Sequence, residues 1–440
     1  MEVGSGTGLS AGGRGCRPQT VKFPTGRGGP AVPVANGKTM LNNTPTASSH
    51  ERYSRFGEAF ADVGVCRSTG IRIRLCYQTF GQRDAAGGVV LLIMGLASPM
   101  LLWDMKFCEC LASRGFYVIR FDNRDIGRST FLTGQKVLPA ALSRDSVRDE
   151  AEVWEVNSGA APAHSWLGAL GEDTLLYARL AYASVVPGRH NLLREVYTLQ
   201  DMARDSVGLL DALHVSKAHV VGMCMGGMIA QVVAIYHPAR VASLALISTH
   251  SGSSQAGWPS LRDALALAHF AMYVTRKGFA VPLPLRGKNG RKKPTPKEEG
   301  ALAHALVNLI GRFAPGAGTS FPIDRRACLT QMRRIVRRSS DFSGALRQYV
   351  ALLNAPDRLE GLRRIRVPTV ILHGTADPIV PYVNGEELAA LIPHAELVRV
   401  AGLGHVLHPA LRDRIVGALA SNMRAPGREE QGPAATASKL

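Results

Sequence analysis

The chain has no run of 18 or more apolar residues, so no membrane-spanning helix is expected, and no basic segment leads into an apolar core as a secretory signal would. It also lacks a paired cysteine framework. Its seven cysteines, Cys16, Cys66, Cys76, Cys108, Cys110, Cys224 and Cys328, are odd in number and scattered, which fits a reducing compartment better than disulfide bonding. Cys108-Glu109-Cys110 is too tight and isolated for zinc, and it falls within an expected helix over residues 102–114. No metal and no cofactor is implied. Residues 1–54 are rich in Gly, Pro, Ser, Thr and Asn without apolar periodicity and are expected to be disordered. Acidic residues are scarce, 34 against 52 Lys and Arg, for a formal net charge of +18. No nucleic-acid-binding motif accompanies that charge, so nucleic acid is not the expected partner.

What is present is core-forming material. Hydrophobic residues make up 46% of 440 residues, and strand-like runs alternate with helical ones throughout, which argues for one α/β catalytic domain with additions.

The apolar run Ala218-His219-Val220-Val221 leads into Gly222-Met223-Cys224-Met225-Gly226-Gly227 and then the helical stretch Met228 to Ala234. A strand entering a Gly-x-nucleophile-x-Gly turn and leaving as a helix is a nucleophile elbow, which exposes the central side chain in a strained conformation. Glycine is needed where strand and helix crowd the turn, and the helix N-terminus favours developing negative charge. Further along, the strand-like Thr369–Leu372 is followed by His373-Gly374-Thr375-Ala376-Asp377, and Glu396–Val400 by Gly402-Leu403-Gly404-His405. Nucleophile, acid and base therefore appear in the order Cys224, Asp377, His405, the chain order of an α/β-hydrolase triad. In that arrangement His405 takes the thiol proton and Asp377 orients the imidazole. The amides of Leu96, after the apolar strand Val89–Ile93, and of Met225, after the nucleophile, are the candidate oxyanion donors. Of the other histidines, His237 reads as a helix terminus, His373 as a strand end and His408 as a weaker rival base. Asp122, Arg124 and Asp125 read as a hydrogen-bonded turn.

With Leu92-Ile93-Met94-Gly95-Leu96-Ala97-Ser98, the run Val118 to Ser129, Tyr197 to Ala203 and the elbow in view, residues from about 60 to 422 resemble the α/β-hydrolase superfamily. They resemble in particular the branch that includes aclacinomycin methylesterase-like carboxylesterases, whose members usually carry serine at the position of Cys224. The hydrolases that the Leu96 loop resembles often carry histidine at the position of Met94, and that resemblance implies that packing alone orients the loop in this chain. The resemblance implies an α/β fold with a mostly parallel eight-stranded sheet flanked by helices, spanning residues 55–424. It also implies a helical cap, here over about 252–345, with a further insertion over about 131–196.

Charge is concentrated in the cap. Residues 276–338 hold fifteen Lys and Arg against three acids, a net +12. Arg286 to Lys293 reads as a surface insertion, and Arg333-Arg334 with Arg337-Arg338 as a basic helix face, either merely solvated or attracting an anionic substrate such as an acyl-CoA or a membrane surface. Residues 425–440 read as a flexible tail whose Ser438-Lys439-Leu440 is the address read by the peroxisomal import receptor. A peroxisome or glycosome matrix is the expected location, with mitochondrion or cytoplasm as alternatives.

Three functions are compatible with these features. The first is hydrolysis of a carboxylic ester or thioester through an acyl-Cys224 intermediate. The second is CoA-dependent acyl transfer to an amine or alcohol, by analogy with peroxisomal bile-acid-CoA:amino-acid acyltransferases that also use an elbow cysteine. The third is ligand binding on a hydrolase fold without turnover.

Overall fold

The computed structural model describes residues 57–132, 193–253 and 321–425 continuously, and 138–139, 179–180, 182–183, 257, 259–275 and 295–314 between them. The 1–54 extension, the basic stretch 286–293, most of the 131–196 insertion and the tail bearing Ser438, Lys439 and Leu440 lie outside the described residues.

Eight strands form one sheet: β1 (Ala59–Val65), β2 (Arg72–Phe80), β3 (Val89–Ile93), β4 (Tyr117–Phe121), β5 (Ala218–Met223), β6 (Val241–Ile247), β7 (Thr369–Gly374) and β8 (Glu396–Val400). Their spatial order is β1-β2-β4-β3-β5-β6-β7-β8. β2 is antiparallel to both β1 and β4, and from β4 onward every neighbouring pair is parallel. The fold expectation is met. The central strands read as nearly continuous apolar runs because both faces are covered, as parallel strands require.

Alternate residues of each strand go to different layers. Leu91, Val220, Leu244 and Ile371 pack against α2 (Leu199–Ala212) and α3 (Met225–Tyr236). Their chain neighbours Leu92, Val221, Ala245 and Leu372 pack against α1 (Met105–Ala112) and the C-terminal helix α10 (Arg412–Arg424). α1 starts later than the expected residue 102, because Asp104 takes the N-cap position and accepts a 2.9 Å hydrogen bond from the Phe107 amide.

Four helices between β6 and β7 are grouped as the cap, the last of them running past the expected limit of about 345: α4 (Leu261–Thr275), α5 (Pro296–Phe313), α6 (Arg325–Arg338) and α7 (Ala345–Leu353). The shorter α8 (Leu359–Arg363) and α9 (Val383–Leu391) flank β7 on either side in the chain. Leu302, Leu306 and Val307 of α5 meet Met332, Ile335 and Val336 of α6 over Met100 and Leu101 of the hydrolase core. Leu180, from the 131–196 insertion, packs with Ala268 of α4 and Leu346, Tyr349 and Val350 of α7.

One cap expectation is corrected. Arg333, Arg334 and Arg337 are exposed, but Arg338 points inward. Its side chain is 1% exposed and forms ion pairs with Glu58 and, at 2.5 Å, with Asp122. The reason is helical phase: residue 338 lies one turn beyond Ile335, on the apolar side of α6. Glu58 and Asp122 are themselves fully buried and need a cation there, because an unpaired buried charge is costly.

No described helix is long and apolar enough to cross a membrane.

Candidate active site

Loops at the carboxyl ends of β3, β5, β7 and β8 converge over the sheet, the position where open α/β sheets bind ligands. The β5 loop is the sharpest. Cys224 has φ 54° and ψ −123°, a region that a side-chain-bearing residue occupies at a cost of about 1–3 kcal/mol. Surrounding contacts enforce it: the Cys224 amide donates to Ile247 O at 3.0 Å, and Thr249 Oγ1 donates to Cys224 O at 2.8 Å. The flanking glycines are required by crowding. A Cβ on Gly222 would lie 2.2 Å from Gly226 O, and one on Gly226 would lie 2.2 Å from Ile93 O.

Asp377 and His405 meet as the sequence suggests. His405 Nδ1 lies 2.8 Å from Asp377 Oδ2, while Asp377 Oδ1 accepts from the amides of Ile379 and Val380, each at 2.9 Å. Burial pushes the Asp377 carboxyl up, but His405 and the Val380 amide outweigh it and hold the pKa below the ordinary value. For His405, burial favours the neutral ring. The Asp377 charge, the Cys224 sulfur and hydrogen bonds to both reverse this and raise it well above the ordinary histidine value. With Nδ1 committed to Asp377, the nitrogen facing Cys224 is Nε2.

Nearby histidines have structural partners. His373 Nε2 donates to Val380 O at 2.8 Å, His408 Nδ1 accepts from the Ala410 amide at 3.2 Å, and His237 ends α3. Asp122, Arg124 and Asp125 form the buried turn expected of them. Asp122 accepts from the Met100 amide at 2.8 Å, Arg124 pairs with Asp205 at 2.6 and 2.7 Å, and Asp125 pairs with Arg347 at 2.8 and 2.7 Å.

The sequence pattern of the alpha/beta hydrolase fold matches residues 88–273 and 324–409, a span that contains Cys224, Asp377 and His405. The chain belongs to the alpha/beta hydrolase fold family. It is 23% identical over 349 residues to rhodomycin D methylesterase DauP of Streptomyces sp. (strain C5), covering 78% of this chain and 94% of that one. With 3-oxoadipate enol-lactonase 1 of Acinetobacter baylyi it shares 22% identity over 262 residues, 59% of this chain and 79% of the relative. Among solved structures, a thermophilic esterase from Thermogutta terrifontis superposes with a TM-score of 0.51 at 20% identity, covering 83% and 98% of the two chains.

Within this hydrolase fold the two candidate oxyanion amides are differently built. That of Met225 is the first of α3, at the positive end of the helix dipole. That of Leu96 sits in a loop fixed by side chains from elsewhere, which corrects the expectation that packing alone orients it. Asn123 Nδ2 donates to Met94 O at 2.9 Å, and Gln348 Oε1 accepts from the Ala97 amide at 2.8 Å. Among the described residues neither the Leu96 nor the Met225 amide donates to another group. Sequence reasoning missed Gln348, Asn123 and Phe313, whose carbonyl accepts from the His405 amide at 3.0 Å. No local motif marks them, because each acts across more than 25 positions of chain.

Cys224, Met225, Leu96 and His405 open into a cavity of about 620 Å³. Its walls are mostly apolar and come from both layers: Met94, Trp103, Phe107 and Met228 from the core, and Leu306, Ile310, Phe313, Met332, Ile335, Tyr349 and Leu352 from the cap. His250 also lines it. Burial first, then Arg358 and His373, push that ring down to about 3, so it is neutral at physiological pH. Arg333, Arg334 and Arg337 do not line the cavity.

Proposed function

We propose that the chain hydrolyses a carboxylic ester or thioester through an acyl-Cys224 intermediate. The observation that supports it most is the continuous chain Asp377–His405–Cys224, with the sulfur on a strained elbow that lines a mostly apolar cavity. Cys224 Sγ attacks the substrate carbonyl carbon, the C–S bond forms, and the carbonyl π electrons move to oxygen under the Leu96 and Met225 amides. The thiol proton passes to His405 Nε2. Collapse of the adduct breaks the bond to the leaving alcohol or thiol, which receives that proton and leaves the acyl thioester. Water then adds, giving a proton to His405, and the second collapse releases the acid and returns the proton to Cys224. Asp377 keeps the ring in the required tautomer and stabilises the imidazolium at each transfer.

The cavity also bears on substrate class. A volume of about 620 Å³ falls in the range that encloses drug-sized ligands, and its apolar walls suit a bulky, largely uncharged ester. An acyl-CoA is less well served, since the exposed arginines of α6 stand off the cavity and Arg412, which lines it, lies 3.5 Å from Asp104. Methyl-ester hydrolysis, the activity in the name of the Streptomyces relative, fits this class. The test is a panel of neutral p-nitrophenyl esters against acyl-CoAs of equal chain length, with free acid and acyl-protein both quantified. Faster acylation by the esters and release of free acid support the proposal. Acyl-CoA turnover that depends on an added amine or alcohol would replace hydrolysis by transfer.

A further inference from the structure

We infer that Gln348, on cap helix α7, is a positioning residue that holds the Leu96 amide in place to receive the oxyanion. The inference rests on the acyl-Cys224 reading and adds to it a part supplied by the cap.

Gln348 is fully buried. Its Oε1 accepts from the Ala97 amide at 2.8 Å, and its Nε2 donates to Arg124 O at 2.7 Å. One partner is a donor and the other an acceptor, so the network itself fixes which end of the amide is which. A single side chain thus ties the β3 loop to the turn after β4. The loop needs such a tie because Ala97, at φ 50°, is a side-chain-bearing residue in the left-handed region, and such conformations persist only where the surroundings over-determine them.

The other ties complete the geometry. Gly95 O accepts from the Ser98 amide at 3.3 Å, and Leu96 O accepts from Ser98 Oγ at 2.9 Å. In a trans peptide the N–H points opposite to the C=O, so anchoring Gly95 O toward Ser98 turns the Leu96 N–H the other way. With Leu96 O held by Ser98 and the Ala97 N–H by Gln348, both ends of the next peptide are fixed as well. Nothing else in the loop can swing without breaking one of these bonds.

α7 is placed to transmit this. Arg347, beside Gln348, is clamped to buried Asp125, while Tyr349, the next residue, and Leu352, one turn on, line the substrate cavity. The same short helix therefore touches the substrate space on one side and the oxyanion loop on the other. A cap that opened as a free lid would take the Leu96 donor out of register.

The test uses Gln348→Met, which keeps length but removes both hydrogen bonds, and Ser98→Ala, which loosens the same peptide from the cavity side and serves if the first variant fails to fold. Three readouts, two rates and one affinity, are compared with wild type in proteins of intact thermal unfolding. Acylation by p-nitrophenyl octanoate needs the oxyanion hole. So does reversible addition of octanal, in which the Cys224 sulfur bonds to the aldehyde carbon and the oxygen ends as a hydroxyl, with no leaving group. Alkylation by iodoacetamide needs only the thiolate.

Removing an oxyanion donor outright costs about 10²–10³ in rate, so displacing one should cost at least about tenfold. Gln348→Met is expected to lose acylation rate and octanal affinity by the same factor, with KM within about twofold and alkylation unchanged. Ser98→Ala should move the same way by less. Acylation and octanal binding at wild-type level in folded Gln348→Met would overturn the inference, as would alkylation falling in step with acylation. Wild-type protein that forms no octanal adduct at Cys224 would instead bring down the acyl-cysteine reading, and this inference with it.

Discussion

The two halves of the site are built by different rules. The sheet-borne half, Cys224, Asp377 and His405, sits on three loops that carry local signatures, the glycines at 222 and 226 and the Ile379 and Val380 amides that grip Asp377, on top of the contacts from Ile93, Ile247 and Thr249 that hold the elbow. The cap-borne half, Phe313, Arg338, Arg347 and Gln348, acts entirely through contacts between distant segments. Chemistry is local and registration is not. The cap consequently works as part of the catalytic frame, bolted to it at the His405 loop, at Asp122, at Asp125 and at the Leu96 loop.

The sharpest way to isolate the sheet-borne half is Asp377→Asn. It leaves the geometry nearly intact but favours the wrong tautomer of His405, and a loss of about 10⁴ in acylation rate is expected. A loss below tenfold would remove Asp377 from the mechanism. The same variant tests the electrostatics. Burial alone pushes His405 down, and Asp377 is its first raising partner, so the His405 titration followed by proton NMR should move to lower pH in Asp377→Asn.

Stability follows with a definite sign. His405, raised in the fold, adds stability that is complete below about pH 6.5 and lost as pH rises through its folded pKa; Asp377, lowered, adds stability present above about pH 3.9 and lost as pH falls through its folded pKa. Wild type should therefore exceed Asp377→Asn most in denaturant melts between those limits. An unfolding difference that does not vary with pH would contradict the pairing.

The cap-borne half is tested by Arg338→Met. It leaves the buried Asp122 carboxylate without its cation and Glu58 with Arg128 alone, and about 3–5 kcal/mol of stability should be lost in urea unfolding. Acylation should fall too, since Asp122 also holds the Met100 amide beside the Leu96 loop. The smallest effect belongs to Arg333→Met on the same helix. That side chain is exposed, so a change within about 0.5 kcal/mol is expected, with ester acylation unaltered. Equal losses at the two positions would erase the distinction between the halves.

This division also explains what could be read before the structure. The eight-stranded sheet was legible because parallel strands buried on both faces read as unbroken apolar runs, as in Val89–Ile93 and Thr369–Leu372. The elbow was legible because strand, Gly-x-Cys-x-Gly and helix follow one another without interruption. Arg338 was misassigned because four arginines in pairs look alike in sequence, and only the burial of Glu58, 280 positions away, singles one out. Gln348 gave no signal at all. A glutamine in a helix is ordinary, and its role exists only once residues 97 and 124 are brought to either end of its side-chain amide.

The most direct test of the central claim is the intact mass of the protein mixed briefly with p-nitrophenyl octanoate, for wild type and Cys224→Ala side by side. Wild type should gain one octanoyl group, lost again as octanoic acid appears, and Cys224→Ala should gain none. Ester consumption at the wild-type rate by Cys224→Ala, or an octanoyl group mapped to another residue, would contradict an acyl-Cys224 mechanism.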